Sequence, residues 1–220
     1  MNIVCTDLQV KEPLGGALLD IPRWSAQSGD QLAITGPSGA GKSTLLSVLA
    51  GLRMPTLGCV RVGDDDLTRL STSQVAAYRS DVLGLIMQEA VLFEELSVWN
   101  NLRILNTCSR TPIDLYRARR LLEAVALNPT QLTVRLSGGE RQRLALVRCL
   151  VRNPQIVLAD EPTANLDEHN AQLVMGMLLE YSTSHRATLV VVSHESRVLS
   201  QFARIDRLDR GKLEGGNGLA

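Results

Sequence analysis

Residues 31–52, QLAITGPSGAGKSTLLSVLAGL, constrain the fold of this 220-residue chain more than any other stretch. The apolar run QLAITG does not alternate at its centre, which is how a strand covered on both faces of a parallel sheet reads. Beyond the glycines, Leu45, Leu46, Leu49 and Leu52 recur at helical spacing, with Gly51 near the expected helix end. Strand, glycine loop and helix in that order make a βα unit, and its strand needs parallel neighbours. QIVLAD (155–160) and ATLVVVSH (187–194) read the same way, and a further apolar run, VLGLIM, precedes Gln88. GCVRVGDDDL (58–67) predicts a small strand closed by an acidic, solvated turn. Residues 97–152 read as largely helical, with DLYRARRLLEAVAL the clearest amphipathic stretch. The expectation is an α/β core interrupted by a helical insertion and ending in a loose tail, GGNGLA.

Composition narrows the function classes. With 45% hydrophobic residues the chain is not a disordered one, and 23 basic against 23 acidic residues give no field of one sign to attract nucleic acid or an anionic membrane. The four cysteines, Cys5, Cys59, Cys108 and Cys149, show no CxxC spacing, so neither a zinc site nor a disulfide framework is expected. The opening MNIVCTDLQVKE lacks a basic lead, and no apolar run approaches the roughly 20 residues of a membrane span. The expected location is therefore cytoplasmic, and any role at a membrane has to come through a partner.

Four motifs carry chemistry. In GPSGAGKST (Gly36, Pro37, Ser38, Gly39, Ala40, Gly41, Lys42, Ser43, Thr44) the glycines let backbone N–H groups turn inward around phosphate oxygens. The following helix adds roughly half a positive charge at its N-terminus. Lys42 is expected to neutralise the β and γ phosphates, and Ser43 to ligate Mg²⁺. IVLADE puts two carboxylates at the mouth of a buried strand, where ligands bind in open α/β sheets. Alternation along a strand sends successive side chains to opposite sides, so different roles are expected: Asp160 for Mg²⁺ and Glu161 as general base. His194 ends the third apolar strand and, if the strands are parallel, faces the same edge and can donate a hydrogen bond to the γ phosphate. His169 and His185 lie in polar surroundings and read as surface residues. Finally, in LSGGERQ, Ser137, Gly138 and Gly139 precede a helix expected to start near Glu140, a second half-site for phosphate on the same chain.

Taken in order, these motifs resemble those of the ATP-binding cassette (ABC) ATPases over almost the whole chain. The resemblance implies one domain over residues 1–220: a RecA-like core with a mostly parallel sheet, a small antiparallel β subdomain, and a helical subdomain at about 89–152 that holds the signature. It implies ATP and Mg²⁺ as ligands. It adds Gln88 to Glu161 and His194 in the catalytic set, and to Ser43 and Asp160 around the metal. Two copies are expected to stack head to tail, so that Ser137–Gly139 of each serve the ATP held by the other. Within the family the chain is most similar to cassettes of lipoprotein release, macrolide export and bacterial cell division. Those work with separate integral membrane subunits on the cytoplasmic face of the inner membrane and make no direct contact with nucleic acid. The alternative is a soluble cassette that remodels nucleic acid or acts as a scaffold. Translation-type members carry two cassettes and repair members long insertions, and neither fits this chain.

Two expectations concern single segments. Such cassettes present an aromatic ring to the adenine ahead of the phosphate loop, but here the interval reads KEPLGGALLDI and contains none. Trp24 is expected to pack in the β region, which leaves Leu14 or Trp24 as substitutes and predicts poor discrimination of ATP from GTP. Residues 89–101, with Val91, Leu92, Phe93, Leu96, Val98 and Trp99, are expected to contribute to a groove for a short helix of the membrane subunit.

Overall fold

In the computed structural model, residues 1–11, 16–107, 111–164 and 166–214 are described. QLAITG forms β3 (Gln31–Thr35), and the two other apolar runs form β7 (Ile156–Asp160) and β8 (Thr188–Val192). With β6 (Leu83–Ile86), β9 (Arg204–Asp209) and β10 (Lys212–Glu214) they make a six-stranded sheet ordered β10-β9-β3-β8-β7-β6. All neighbours are parallel except β9 and β10. Every residue of β7 and β8 is buried, which accounts for their unbroken apolar runs. The parallel register brings the C-terminal ends of β3, β7 and β8 to one edge, with Asp160 opposite Val192.

The second sheet is antiparallel, ordered β2-β1-β4-β5 from β1 (Ile3–Lys11), β2 (Ala17–Ala26), β4 (Leu57–Val62) and β5 (Asp65–Asp66). The acidic turn is shorter than its sequence predicts, because Asp65 and Asp66 pair back onto Val62 and Arg61. Asp66 accepts hydrogen bonds from the Thr68 amide and hydroxyl and an ion pair from Arg69, so its carboxylate is already occupied. Trp24 joins the two sheets. Its ring is buried in the core and its indole N–H donates to Asp206 Oδ2 of β9 at 2.8 Å.

Helix α1 (Lys42–Leu49) follows the glycine loop and buries Leu45, Leu46, Val48 and Leu49. It stops earlier than the leucine spacing predicts. Ala50 caps it, Gly51 turns left-handed at φ 64°, and Leu52 is 52% exposed rather than on the core face. Helix α2 (Thr72–Asp81) precedes β6, and a Ser71–Gln74 capping box closes its N-terminus. Between β6 and β7 lie α3 (Val98–Arg103), α4 (Leu115–Ala124) and α5 (Gly138–Leu150), joined in part by short 3₁₀ turns. These helices share their own core, which includes Val98, Leu102, Ala118, Leu122, Leu144 and Val147. Helix α6 (Glu168–His185) and the short α7 (Ser196–Leu199) follow among the described residues. Among the described residues no helix is long and apolar enough to cross a membrane. Leu14, Cys108, Asn165 and the tail at 215–220 fall outside the described residues.

Candidate active site

The glycine loop leaves β3 through Gly36, at φ 152° and pressed against β9: a Cβ there would lie 1.9 Å from the Leu208 carbonyl oxygen. Only a residue without a side chain lets the loop turn at that point. The Lys42 ammonium folds back over the loop and donates to the carbonyls of Gly36 at 2.8 Å and Pro37 at 2.9 Å. Two of its three donors hold the loop's shape, and one remains for an incoming anion. The first-turn amides of α1 have no partner within the helix and add to the positive end.

Asp160 is the last residue of β7 and is buried. Burial pushes its carboxyl above the usual range, while the Ser43 hydroxyl and Lys42 nearby pull the other way and Glu161 adds to the rise. A hydroxyl and a carboxylate gathered in one cleft form an oxygen set that suits a hard divalent cation. Such an ion would itself favour the charged carboxylate.

Glu161 departs from the sequence expectation. The pleat that would send it away from Asp160 ends one residue earlier, and Glu161 sits at φ 45°, so both carboxylates line one cleft. Its amide donates to the Val192 carbonyl at 2.9 Å. One carboxylate oxygen, Oε1, is 2.6 Å from His194 Nδ1, and the other, Oε2, accepts the Ser193 hydroxyl at 3.2 Å. The His194 side chain is 69% exposed, Glu161 only 9%, so the pair straddles the cleft wall. A neutral imidazole that donates through Nδ1 has only an acceptor at Nε2. Donation from Nε2 to a phosphate oxygen therefore requires the imidazolium.

The cleft has a volume of about 690 Å³. It brings together Gly36, Pro37, Ser38, Gly39, Gly41, Lys42, Ser43 and Thr44 with Asp160, Glu161, His194 and Gln88. Leu18 of β2 forms a further wall, which the sequence did not mark. No aromatic side chain lines the cleft among the described residues. Ala40 is buried in the core instead, where its carbonyl accepts the Gly211 amide, so it supports the loop from behind.

Ser137, Gly138 and Gly139 lie outside this cleft. Ser137 caps α5, which begins at Gly138, two residues earlier than expected. The Glu140 carboxylate reaches back to the Ser137 amide at 2.8 Å, and that bond, with the Ser137 hydroxyl, holds the Glu140 carboxyl below its ordinary range. Ser137 and Gly138 are exposed, and a side chain on Gly138 would meet nothing within 4 Å. This serine–glycine helix start thus lies outside the cleft that holds the phosphate loop of its own chain.

A glycine loop, two carboxylates and a histidine gathered in one cleft, with a capped serine–glycine helix start outside it, are the marks of a nucleotide-binding ATPase cassette. The chain belongs to the ABC transporter family, whose model matches residues 19–164. It binds ATP with Mg²⁺ and hydrolyses it as the ATPase subunit of an ABC transporter. It is 40% identical over 189 residues to the lipoprotein-releasing system ATP-binding protein LolD of Pseudomonas fluorescens, covering 84% of this chain and 83% of that one. It is also 38% identical over 218 residues to LolD 1 of Rhodopirellula baltica, covering 96% and 95%. Among solved structures, the fold matches the ATP-binding cassette MJ0796, described as a dimer in a post-hydrolysis state bound to ADP and Pi. The TM-score there is 0.90 at 28% identity, over 97% of both chains.

Proposed function

We propose that this ATPase drives a lipoprotein-releasing complex of the inner membrane, from whose cytoplasmic face it works as a head-to-tail pair. In this reading it is one cassette, with residues 89–152 as a helical subdomain. The observation that carries it is the division of the site: Glu161, His194 and Lys42 share one cleft, while Ser137 and Gly138 stand exposed and Gly139 half-buried outside it. Each copy then lends its serine–glycine helix start to the nucleotide of the other. Similarity to LolD chains over most of both lengths supports the lipoprotein assignment.

The roles follow from the geometry. Loop amides and the remaining Lys42 donor bind phosphate oxygens, and their charge is insensitive to the base. The Ser43 hydroxyl and the Asp160 carboxylate would hold Mg²⁺, with Gln88, which lines the same cleft, as a further ligand. The ion supplies charge neutralisation at the phosphates. Glu161 takes the proton of the attacking water, at the oxygen paired with His194. His194 steadies that carboxylate and, as imidazolium, presents Nε2 to the developing charge.

Contact with the membrane subunit is assigned to a groove of about 520 Å³ between the sheet core and the helical insertion, with Met87, Val91, Phe93 and Leu105 in its lining. Val91 is 78% and Phe93 47% exposed, whereas Val98, from the same sequence segment, is fully buried and belongs to the helical core. An exposed apolar pair at a groove edge suits the apolar face of a short helix. The test is to co-purify the chain with a candidate membrane subunit from the same organism, reconstitute both in liposomes, and supply an acylated lipoprotein. ATP-dependent release, abolished by Lys42→Ala, is expected. ATP turnover without release of any lipoprotein would overturn the assignment.

A further inference from the structure

We infer that Ser193 is a positioning residue for Glu161, and that Glu195, braced by Thr163, dictates where the Ser193 hydroxyl proton points. This rests on Glu161 being the base that activates water. Ser193 directly follows β8, is fully buried, and is stitched to the central strand by its amide, which donates to the Ile34 carbonyl at 3.1 Å. Its hydroxyl oxygen has two neighbours: Glu161 Oε2 at 3.2 Å and the Glu195 amide at 3.1 Å. A backbone N–H can only donate, and a serine hydroxyl has a single proton. The oxygen therefore accepts from Glu195, and its proton is directed to Glu161.

Glu195 is fixed from the other side. Its Oε1 accepts the hydroxyl of Thr163, itself fully buried and two residues beyond Glu161, at 2.9 Å. Its Oε2 accepts from Arg197 at 2.5 Å, and Arg197 reaches on to Glu168, the first residue of α6, at 2.8 Å. A closed ring results, from Glu161 through the chain to Thr163, then Glu195, Ser193 and back to Glu161. It clamps the segment after β7 to the segment after β8. The clamp matters because Glu161 lies at φ 45°, where a non-glycine residue persists only if its surroundings hold it. The terminal torsion of a glutamate is also broad. With His194 on Oε1 and Ser193 on Oε2, the carboxylate plane is set. Without Ser193 it pivots about the His194 contact.

Misplacing a reacting group by about 1 Å costs up to about 10²-fold in rate. Ser193→Ala should lower kcat for ATP roughly ten- to a hundredfold, with KM within about twofold, because Ser193 does not line the cleft and its hydrogen bonds go to Ile34, Glu161 and Glu195. The experiment measures Mg²⁺-dependent ATP hydrolysis, including single turnovers, for Ser193→Ala, Ser193→Thr and Thr163→Val, and for Ser193→Ala combined with Glu161→Gln. Ser193→Thr keeps the donor and should recover most of the rate. In the Glu161→Gln background, Ser193→Ala should add less than about twofold, since both act through one carboxylate. Unchanged kcat in Ser193→Ala, or its full effect on top of Glu161→Gln, overturns the inference. Near-parental turnover in Glu161→Gln alone overturns the general-base reading instead. Should Ser193→Ala melt below assay temperature, Thr163→Val tests the same ring from its far side: a kcat loss at unchanged KM supports it, and parental kcat overturns it.

Discussion

Gly36 and Gly39 sit three residues apart in one loop, yet the structure predicts very different costs for adding a methyl group. At Gly36 the new carbon would lie 1.9 Å from the Leu208 carbonyl oxygen and 3.0 Å from its carbon. Neither side can move aside, because Thr35 and Arg207 are paired in the parallel ladder immediately before the contact. A backbone clash of that depth belongs with the exceptional substitutions that cost more than about 4–5 kcal/mol, against a total stability of about 5–15 kcal/mol. At Gly39 the methyl would meet nothing within 4 Å, so only the left-handed backbone, φ 79°, carries a penalty. That penalty is about 1–2 kcal/mol, offset by about 0.4–1 kcal/mol from the stiffer unfolded chain. For a chain of this size the result is a fall of at most about 6 °C in Tm for Gly39→Ala. Gly36→Ala should fall by more than about 10 °C or fail to accumulate as soluble protein. Thermal and urea melts of the two variants without nucleotide give the comparison. Similar losses in both would show that the contact between the loop and β9 does not impose glycine at position 36.

Other consequences follow from single contacts. Trp24→Phe removes a donor from the buried Asp206 carboxylate and should cost about 1.5–3 kcal/mol, read in urea by the remaining Trp99 fluorescence; a loss under about 0.5 kcal/mol would contradict the role given to that bond. Since Trp24 is buried and no ring lines the cleft among the described residues, stacking worth roughly 1–3 kcal/mol is missing there. Competition binding to Glu161→Gln should then show ATP preferred over GTP by less than about tenfold, or about 1.4 kcal/mol. A larger preference would mean that another group reads the adenine. Val91→Asp should leave turnover of the isolated cassette within about twofold, since Val91 is 78% exposed. The same change should abolish stimulation by the membrane subunit in liposomes, and retained stimulation would remove the groove from this contact.

Much of the core was legible because its constraints are local. A buried parallel strand needs an unbroken apolar run, and a glycine loop that opens a helix needs its residues at fixed offsets, so β3, β7, β8 and the loop around Lys42 were readable in advance. The Ser137–Glu140 capping box is equally local, yet the helix start was expected near Glu140, two residues past the observed one. What escaped depends on contacts distant in the chain or on where an element ends. Leu52 fits a helical spacing but lies beyond Gly51, which turns the chain out of α1. Asp160 and Glu161 were expected on opposite sides, and they share a cleft because β7 stops between them. Val98 reads like its neighbours Val91 and Phe93, and only the packing of α3 against α4 and α5 separates core from exposed edge. Leu18 reaches the cleft through the pairing of the antiparallel sheet, and Ser193 is one small polar residue after an apolar run. Neither carries a local mark.

If Glu161 turns a nucleotide-binding cleft into a hydrolytic one, the Glu161→Gln variant should separate binding from hydrolysis. Glutamine keeps the size and can still meet His194 and Ser193, but it cannot take a proton from water. Losing a general base costs about 10²–10⁴ in rate, roughly 3–5 kcal/mol of barrier. Single-turnover hydrolysis of Mg²⁺·ATP, followed together with light scattering, should show ATP bound, hydrolysis slowed by at least about a hundredfold, and the chain held as a dimer. Near-parental hydrolysis by a chain that stays monomeric with Mg²⁺·ATP would contradict the account.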